Sequence, residues 1–346
     1  MAKKNDDSIS QPMPIVAKAR RGLVLSPRRR EPTVAETALL ASAPNTFIIG
    51  APKCGTTALS IYLKSHPNIF VVPVKEPQFW SFDITEAETY GLTSIDDYLA
   101  MFHTAKHDHH IRIDASTNYL WSHVAVPEIL NTFPDSRFIV MLRNPVDLAY
   151  GYYMEERYWL HEDLPSFEEA WDALPDRRAG RRVPKLCPDP QKLDYERIAS
   201  IGTQLQAVMK HFSRGKLLVL FLEDLSSSAR DVYSQTLSFL GVPDDGRLDF
   251  PRINQAKEMS NTFVSNLLLY PPAPVHAVMK ATRNALWTLG IRGLRTRLYQ
   301  GINQTRDRQP LSPSFRKMLT LRFTEEIHTV SKLTGKDLSH WISPSE

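Results

Sequence analysis

The stretch F-I-I-G-A-P-K-C-G-T-T, from Phe47 to Thr57, is the most informative part of this chain of 346 residues. An apolar run leads into two glycines that bracket a lysine, and two threonines then open a helix-like segment. A strand, a glycine-containing loop and a helix N-terminus together bind phosphate, because the loop amides and the helix dipole both favour an anion. The stretch therefore predicts a phosphate-binding loop.

The position of the lysine separates this loop from the common nucleotide-triphosphatase loop, which reads G-x-x-x-x-G-K-[ST]. Gly50 and Gly55 keep the glycine spacing, but Thr56 stands at the lysine position and Lys53 lies inside the loop. From there the Lys53 ammonium can reach the oxygen that bridges a nucleotide phosphate and a transferred group, where it would stabilise developing charge. Thr56 and Thr57 can donate hydroxyl and amide hydrogen bonds to the 5′-phosphate of such a nucleotide.

Along residues 45–346, apolar β-rich runs alternate with helix-like stretches. The predicted strands are 47–49, 69–72, 111–113, 138–142 and 217–222. The predicted helices are 58–65, 94–102, 126–132, 146–159, 166–172, 194–212, 229–240, 274–299 and 312–333, and residues 172–190 form a predicted long loop. Because alternating strands and helices build parallel sheets covered on both faces, we predict an α/β domain.

The net charge of +4 is concentrated in residues 1–44, whose eight basic and four acidic residues leave the rest of the chain neutral. This distribution argues against nucleic-acid binding by the folded part. The tail is rich in proline and has no sustained periodicity, so we predict that it is mostly disordered. Weak contact with an anionic membrane surface is the alternative to a solubilising leader.

The sequence predicts neither export nor membrane insertion. No apolar run approaches the roughly 20 residues of a membrane-spanning helix, and the N-terminus has no secretory apolar region. The two cysteines, Cys54 and Cys187, make no disulfide framework. We therefore expect a cytoplasmic protein in which residues 45–346 form one domain behind the basic tail.

A second motif, R-F-I-V-M-L-R-N-P-V-D-L-A-Y-G-Y-Y, runs from Arg137 to Tyr153. Its apolar strand delivers Arg143 to the carboxyl end, where Asn144 and Pro145 stop the strand and start a helix. Ligands of such folds bind at the carboxyl ends of parallel strands. The guanidinium of Arg143 is therefore predicted to hold a second phosphate, with a structural salt bridge as the alternative.

These two motifs resemble those of sulfotransferases that use 3′-phosphoadenosine 5′-phosphosulfate (PAPS), in the bacterial and heparan-sulfate-type branch. G-A-P-K-C-G-T-T is similar to the 5′-phosphosulfate loop, and R-N-P-x-x-L-x-x-G-x-Y is similar to the 3′-phosphate motif. The resemblance runs from Asn45 to Trp341. It implies a three-layer P-loop-like domain with a central, largely parallel β-sheet flanked by helices, and it implies no metal.

The resemblance also implies the residues that bind PAPS or its product, 3′-phosphoadenosine 5′-phosphate (PAP). Gly151 stands where the family has a serine for the 3′-phosphate, and Leu148 stands where an arginine is frequent. Arg306 and Arg308 are candidates for a basic loop that closes over the same phosphate. The complete predicted set is Pro52, Lys53, Cys54, Gly55, Thr56, Thr57, Arg143, Gly151, Arg306 and Arg308.

The catalytic base implied by the resemblance is Glu76, in the stretch K-E-P-Q-F-W. It would take the proton from an acceptor hydroxyl or amine as that group attacks sulfur. A surface carboxylate is the alternative, and histidine is a competing base in another branch. His66 lies in a helix-ending turn, where a structural role is favoured. His103 and His107 have a spacing that could bind a metal, but a solvated turn is favoured there.

The acceptor site is the least readable part of the sequence. In D-A-S-T-N-Y, which ends the third predicted strand, Thr117 replaces a proline of the family pattern. Ser116 and Tyr119 are predicted to line the acceptor site, with packing in the core equally favoured. Phe79 and Tyr153 complete the predicted set. The resemblance implies that the acceptor is a small molecule, a glycan or a lipid, in a bacterial pathway of specialised metabolism.

We therefore predict direct in-line transfer of a sulfuryl group, with Glu76 as base and Lys53 stabilising the departing phosphate. A P-loop kinase is the first alternative, since Glu223 and Asp224 follow an apolar strand, as a magnesium-binding pair does in kinases. A nucleotide-binding protein with little activity is the second alternative, suggested by Gly151 and Leu148.

Overall fold

The computed structural model describes residues 42–84, 92–212, 215–253, 258–259, 303–304 and 310–343. Its centre is a five-stranded sheet in which every neighbouring pair of strands is parallel. The strands are β1 (Thr46–Gly50), β2 (Ile69–Val71), β3 (Ile111–Ala115), β4 (Arg137–Leu142) and β5 (Leu217–Phe221). Their order across the sheet is β2-β3-β1-β4-β5. The predicted α/β class and all five predicted strands are confirmed.

Helices surround this sheet. They are α1 (Thr56–Lys64), α2 (Ile95–Ala100), α3 (Ala125–Thr132), α4 (Pro145–Tyr158), α5 (Phe167–Asp172), α6 (Leu174–Arg178), α7 (Tyr195–Ala199), α8 (Ile201–Met209), α9 (Leu222–Ser227), α10 (Ala229–Leu240) and α11 (Pro313–Thr334). Short 3-10 turns cover Thr117–Leu120, Pro190–Leu193 and Ser339–Trp341. A two-residue antiparallel pair joins β6 (Glu258–Met259) to β7 (Asn303–Gln304).

The central strands are covered on both faces, which is why they read as unbroken apolar runs. All five residues of β1 are buried, as are all residues of β4 after Arg137. Phe47 of β1 stacks on Phe138 of β4, with ring centroids 5.4 Å apart. The carboxyl ends of β1 and β4 therefore meet on a rigid core, and the phosphate loop and Arg143 follow directly from them.

Two predicted elements differ from the structure. The predicted helix 194–212 is split into α7 and α8, because Ser200 leaves the helical region with φ −75° and ψ 58°. The break lets α8 approach α11 closely. A Cβ added to Gly202 would lie 2.4 Å from the Glu326 carbonyl oxygen, so only glycine fits this contact.

The predicted long loop 172–190 is also partly wrong, since it contains helix α6. Arg177 of α6 is buried, and its guanidinium binds both carboxylate oxygens of Glu162, with one distance of 2.6 Å. Tyr195 donates to the same carboxylate at 2.6 Å. This charged contact anchors the first part of the segment to the domain.

Some predictions lie outside the described residues. They are the tail before residue 42, the helix at 274–299, and the basic residues Arg306 and Arg308. Within the ranges that are described, no helix is both long enough and apolar enough to cross a membrane.

Candidate active site

The phosphate loop begins at Gly50, where β1 ends with φ 142°. A Cβ at this position would lie 2.7 Å from the Thr117 carbonyl oxygen and 2.7 Å from Leu120 Cβ. Gly55 has φ 84° and is the N-cap of α1, and a Cβ there would lie 2.8 Å from Leu222 Cδ1. Both glycines are thus required by a left-handed backbone and by close neighbours.

The loop leads directly into the N-terminus of α1. Helix α1 starts at Thr56, and its N-cap residue is a glycine, which has no side chain to cap the first amides. The early amides of a helix have no partner within the helix, so they can bind an anion. Thr56 is buried and Thr57 is half-buried at this end. The arrangement fits the predicted 5′-phosphate site.

Lys53 sits in the loop with φ 61°, a left-handed conformation that is uncommon for a lysine. Its Nζ lies 3.6 Å from Glu155 Oε2 on α4. The next residue, Cys54, is buried, and its thiol donates to the Pro52 carbonyl oxygen at 3.3 Å. Burial raises the pKa of Cys54 far above its usual range. Cys54 is therefore a neutral packing group, and Lys53 is the charged group that the loop presents.

Arg143 follows β4 at the neighbouring strand end. Its Nη2 lies 3.9 Å from Asp147 Oδ2, while Arg316 of α11 binds Asp147 Oδ1 at 2.9 Å. Asn144 caps α4 by accepting a hydrogen bond from the Val146 amide at 2.9 Å. Two arginines therefore flank one carboxylate at the start of α4.

One side of α4 connects the two predicted phosphate sites. Asp147, Gly151 and Glu155 recur at intervals of four residues, so they lie along the same side of the helix. Asp147 contacts Arg143, and Glu155 contacts Lys53. Gly151 therefore lies between the partners of the two cations.

Leu148, the other departure from the family motif, is fully buried. Its side chain packs in the core of the domain, where an arginine at the same position would need a charged partner. Gly151, in contrast, lies on the side of α4 that carries the charged contacts of Asp147 and Glu155.

Glu76 lies in the loop after β2, and its side chain is 24% exposed. Its Oε2 accepts hydrogen bonds from Thr117 Oγ1 at 3.1 Å and from Gln78 Nε2 at 3.2 Å. Lys75 Nζ lies 3.7 Å from Oε1. Since the Thr117 carbonyl oxygen adjoins Gly50, Thr117 links the predicted base to the phosphate loop.

A buried carboxylate, Asp114, lies at the end of β3 beneath Glu76. It accepts hydrogen bonds from Ser116 Oγ at 2.7 Å, from Tyr98 OH at 2.8 Å and from Tyr119 OH at 2.9 Å. Burial, helped by the nearby charge of Glu76, raises the pKa of Asp114 to about 6. The three hydrogen bonds lower the pKa and offset part of this effect.

Four residues were predicted to line the acceptor site, and all four are buried. Phe79 stacks on Tyr98, with ring centroids 4.7 Å apart. The Ser116 and Tyr119 hydroxyls both bind Asp114, which favours the packing alternative for this pair. Tyr153 donates to the Leu164 carbonyl oxygen at 3.0 Å. The ring of Tyr153 lies against the rings of Phe167 and Tyr195, so its predicted contact with the acceptor stays a prediction.

Sequence reasoning missed several residues of this region. Glu155 and Arg316 are distant in sequence from the side chains they contact, so spacing alone gives no signal for them. Asp114 did carry a signal, since an acidic residue inside a buried strand needs hydrogen-bond partners. Thr117 carried another signal, as the residue that departs from the family pattern.

The residues of the two alternative hypotheses, the competing base His66 and the pair Glu223 and Asp224, have structural partners. His66 is buried, its Nε2 lies 2.9 Å from the Pro243 carbonyl oxygen, and its Nδ1 accepts from the Asn68 amide. Asp224 binds Lys336 Nζ at 2.6 Å, and Glu223 accepts from the Asn144 amide at 3.4 Å. In the part of the chain that the structure describes, no group of three His, Cys, Asp or Glu side chains could hold a metal ion.

The sequence of this chain is similar to those of known sulfotransferases. A family model for the sulfotransferase domain matches residues 43–269. Carbohydrate sulfotransferase 15 of Homo sapiens is 30% identical over 151 residues, which cover 32% of this chain and 27% of the human protein. Bifunctional heparan sulfate N-deacetylase/N-sulfotransferase 1 of Xenopus laevis is 27% identical over 205 residues, 58% of this chain and 22% of that protein. The chain spans less than a third of the length of these two relatives.

A solved structure gives independent support for the fold. The sulfotransferase from Alicyclobacillus acidocaldarius superposes with a TM-score of 0.64 over 87% of this chain and 99% of that chain. Its sequence identity to this chain is 23%. At this identity the likeness shows a shared fold.

Proposed function

This chain belongs to the sulfotransferase-domain family, and we propose that it transfers a sulfuryl group from PAPS to a hydroxyl in preference to an amine. One observation carries this proposal. Lys53, Arg143 and Glu76 all follow carboxyl ends of parallel strands, where ligands of such folds bind. Lys53 and Arg143 both contact carboxylates of helix α4. Glu76 binds Thr117, whose carbonyl oxygen lies beside Gly50 of the phosphate loop.

The reaction assigns a separate role to each charged side chain. The acceptor oxygen attacks sulfur in line while the bond from sulfur to the 5′-phosphate oxygen breaks. Glu76 accepts the proton of the acceptor, and Lys53 stabilises the charge that develops on the departing phosphate. The products are the sulfated acceptor and PAP. A sulfuryl group carries less charge than a phosphoryl group, so lysine and amide donors can suffice where kinases use magnesium.

The donor would be held at both of its phosphates. The uncapped start of α1, with Pro52, Cys54, Gly55 and the threonines at 56 and 57, would bind the 5′-phosphate. Arg143 and the backbone near Gly151 would bind the 3′-phosphate, with Arg306 and Arg308 as further candidates. Arg143 has a neutralising contact with Asp147 that an incoming phosphate can replace.

The relatives named above support a choice of acceptor class. Their names say that they sulfate carbohydrate and heparan sulfate, so a glycan or a glycan-like small molecule is the first acceptor to test, with lipids second. We place the reaction in the cytoplasm and propose only weak membrane-surface contact, through the basic tail.

A transfer assay tests the proposal. The protein would be incubated with PAPS carrying labelled sulfur, with a panel of oligosaccharides and with a metabolite extract, and products would be identified by mass spectrometry. A parallel arm would use labelled ATP with and without magnesium. We expect labelled sulfate esters in the first arm only. Phosphoryl transfer from ATP alone would establish the kinase alternative, and tight PAP binding without turnover would establish the inactive-protein alternative.

A further inference from the structure

The loop that carries Glu76 is attached to the sheet through two buried hydroxyl groups. The Gln78 amide donates to Ser116 Oγ at 3.1 Å, and the Trp80 amide donates to Tyr119 OH at 3.4 Å. Both hydroxyls belong to the segment that follows β3, and both side chains are fully buried. These two oxygens therefore hold the backbone of the loop, while Thr117 and Asn118 bind its side chains.

Asp114 fixes the orientation of both hydroxyls. It accepts the Ser116 proton at 2.7 Å and the Tyr119 proton at 2.9 Å. A hydroxyl has a single proton to donate, so once that proton is directed to the carboxylate, its lone pairs are left for the loop amides, which can only donate. An ionised Asp114 thus holds both oxygens in place as acceptors.

The loop needs such external fixation because its backbone is strained. Glu76 and Gln78 both have φ 52°, in the left-handed region. Residues other than glycine persist in this region only where the surrounding structure over-determines them. The same two residues are coupled through their side chains, since Gln78 Nε2 donates to Glu76 Oε2 at 3.2 Å. A shift of the Gln78 backbone would therefore move the Glu76 carboxylate.

We propose that Asp114 is a positioning residue for Glu76, acting through the hydroxyls of Ser116 and Tyr119. The proposal rests on the proposed function for the role of Glu76 as base. Asp114 itself touches no reacting atom. Its effect is to hold the strained loop in the one conformation in which Thr117 and Gln78 both bind the Glu76 carboxylate.

Two tyrosines provide a matched pair of variants. Tyr98 and Tyr119 both donate to Asp114 Oδ2, at 2.8 and 2.9 Å, and both are fully buried. Only the Tyr119 oxygen also accepts the Trp80 amide. Tyr98→Phe and Tyr119→Phe therefore each remove one hydrogen bond to Asp114, but only Tyr119→Phe removes a hydrogen bond to the backbone of the loop. A purely structural role for this cluster predicts equal effects of the two variants.

The first measurement is hydrogen exchange of the ligand-free full chain, which needs no activity. We expect the peptide spanning residues 76–81 to exchange faster in Tyr119→Phe and in Ser116→Ala than in Tyr98→Phe. Asp114→Asn would show the largest increase if it folds, and the other three variants decide the matter if it does not. Equal exchange in the two tyrosine variants would overturn the proposal.

The second measurement separates positioning from donor binding. We expect Tyr119→Phe to lower kcat about tenfold more than Tyr98→Phe. A loss of this size matches the free energy of the one hydrogen bond that Tyr119 makes to the loop. The affinity for PAP should be the same in both variants. If Glu76→Gln were fully active while the exchange difference remained, the role of Glu76 would fail and Asp114 would still position the loop. Equal kcat values with an inactive Glu76→Gln would refute the proposal.

Discussion

Lys53 Nζ lies 3.6 Å from Glu155 Oε2, so the lysine of the phosphate loop is paired with a carboxylate on α4. Both side chains are about one-third exposed, at 29% and 31%, so solvent screens the pair and its contribution to stability is small. The pair holds the lysine towards the side of α4 that also carries Asp147 and Gly151. A bound phosphate would compete with Glu155 for Lys53.

This competition predicts the effect of Glu155→Gln. We expect PAP to bind a few-fold more tightly, because the change removes a negative charge beside the site of a highly charged anion. Calorimetry at low and high salt should show the gain shrinking as salt screens it. Asp172→Asn, an equal charge change at an exposed position on α5, should leave the affinity unchanged. Weaker binding in Glu155→Gln would show instead that Glu155 orients Lys53 for the ligand.

The second prediction concerns Gly151, which lies between Asp147 and Glu155 on α4. Gly151→Ser should preserve or tighten PAP binding, since a hydroxyl bonded to a charged phosphate contributes on the order of 1.5–3 kcal/mol. Gly151→Ala adds a similar volume without the hydroxyl, so it should gain nothing. A large loss of affinity in Gly151→Ser, absent in Gly151→Ala, would place the 3′-phosphate elsewhere.

Asp114 predicts a pH dependence of stability. Its pKa is raised from an ordinary 3.8 to about 6 by burial, so the folded state holds this proton more tightly than the unfolded state. The free energy of unfolding should therefore fall by about 3 kcal/mol as pH rises through that window, and stay level above it.

Denaturant titrations between pH 4 and 7 would measure this effect as the difference between the wild type and Asp114→Asn. The variant lacks the titrating group. As the pH rises towards 6, the wild type should therefore lose stability relative to Asp114→Asn. A difference that is constant with pH would mean that Asp114 keeps an ordinary pKa in the fold.

The buried pair of Arg177 and Glu162 predicts a large loss of stability on truncation. Arg177→Ala should lower the free energy of unfolding by about 3–5 kcal/mol, because it leaves the Glu162 carboxylate buried without its charge partner. Arg181→Ala removes an exposed pair with Asp176 nearby and should cost under about 1 kcal/mol. Similar losses in both variants, measured by denaturant titration, would contradict the account of the segment after α5.

The strands and the phosphate loop were predictable from sequence because their signals are local. Buried parallel strands are short apolar runs with clear ends, and a loop such as that at Gly50 and Gly55 needs glycine at fixed places. The same holds for the start of α4, where Asn144 and Pro145 give a stop and a start signal.

Other features depend on contacts between distant parts of the chain. The split at Ser200 lies beside the close contact of Gly202 with α11, and that contact joins parts of the chain that are far apart in sequence. The left-handed backbone at Glu76 and Gln78 lies in a loop whose amides bind Ser116 and Tyr119, which are about 40 residues away in sequence. The pairing of Lys53 with Glu155 likewise needed the three-dimensional arrangement.

The most direct test of the central claim is sulfate transfer from labelled PAPS by Lys53→Ala and Glu76→Gln, with folding checked by circular dichroism and thermal unfolding. Both variants should fold like the wild type and lose at least about 100-fold in kcat/KM, as expected for an electrostatic stabiliser and a general base. Lys64→Ala, at the far end of α1, should retain wild-type transfer. Near-normal turnover in either site variant would contradict the proposed roles.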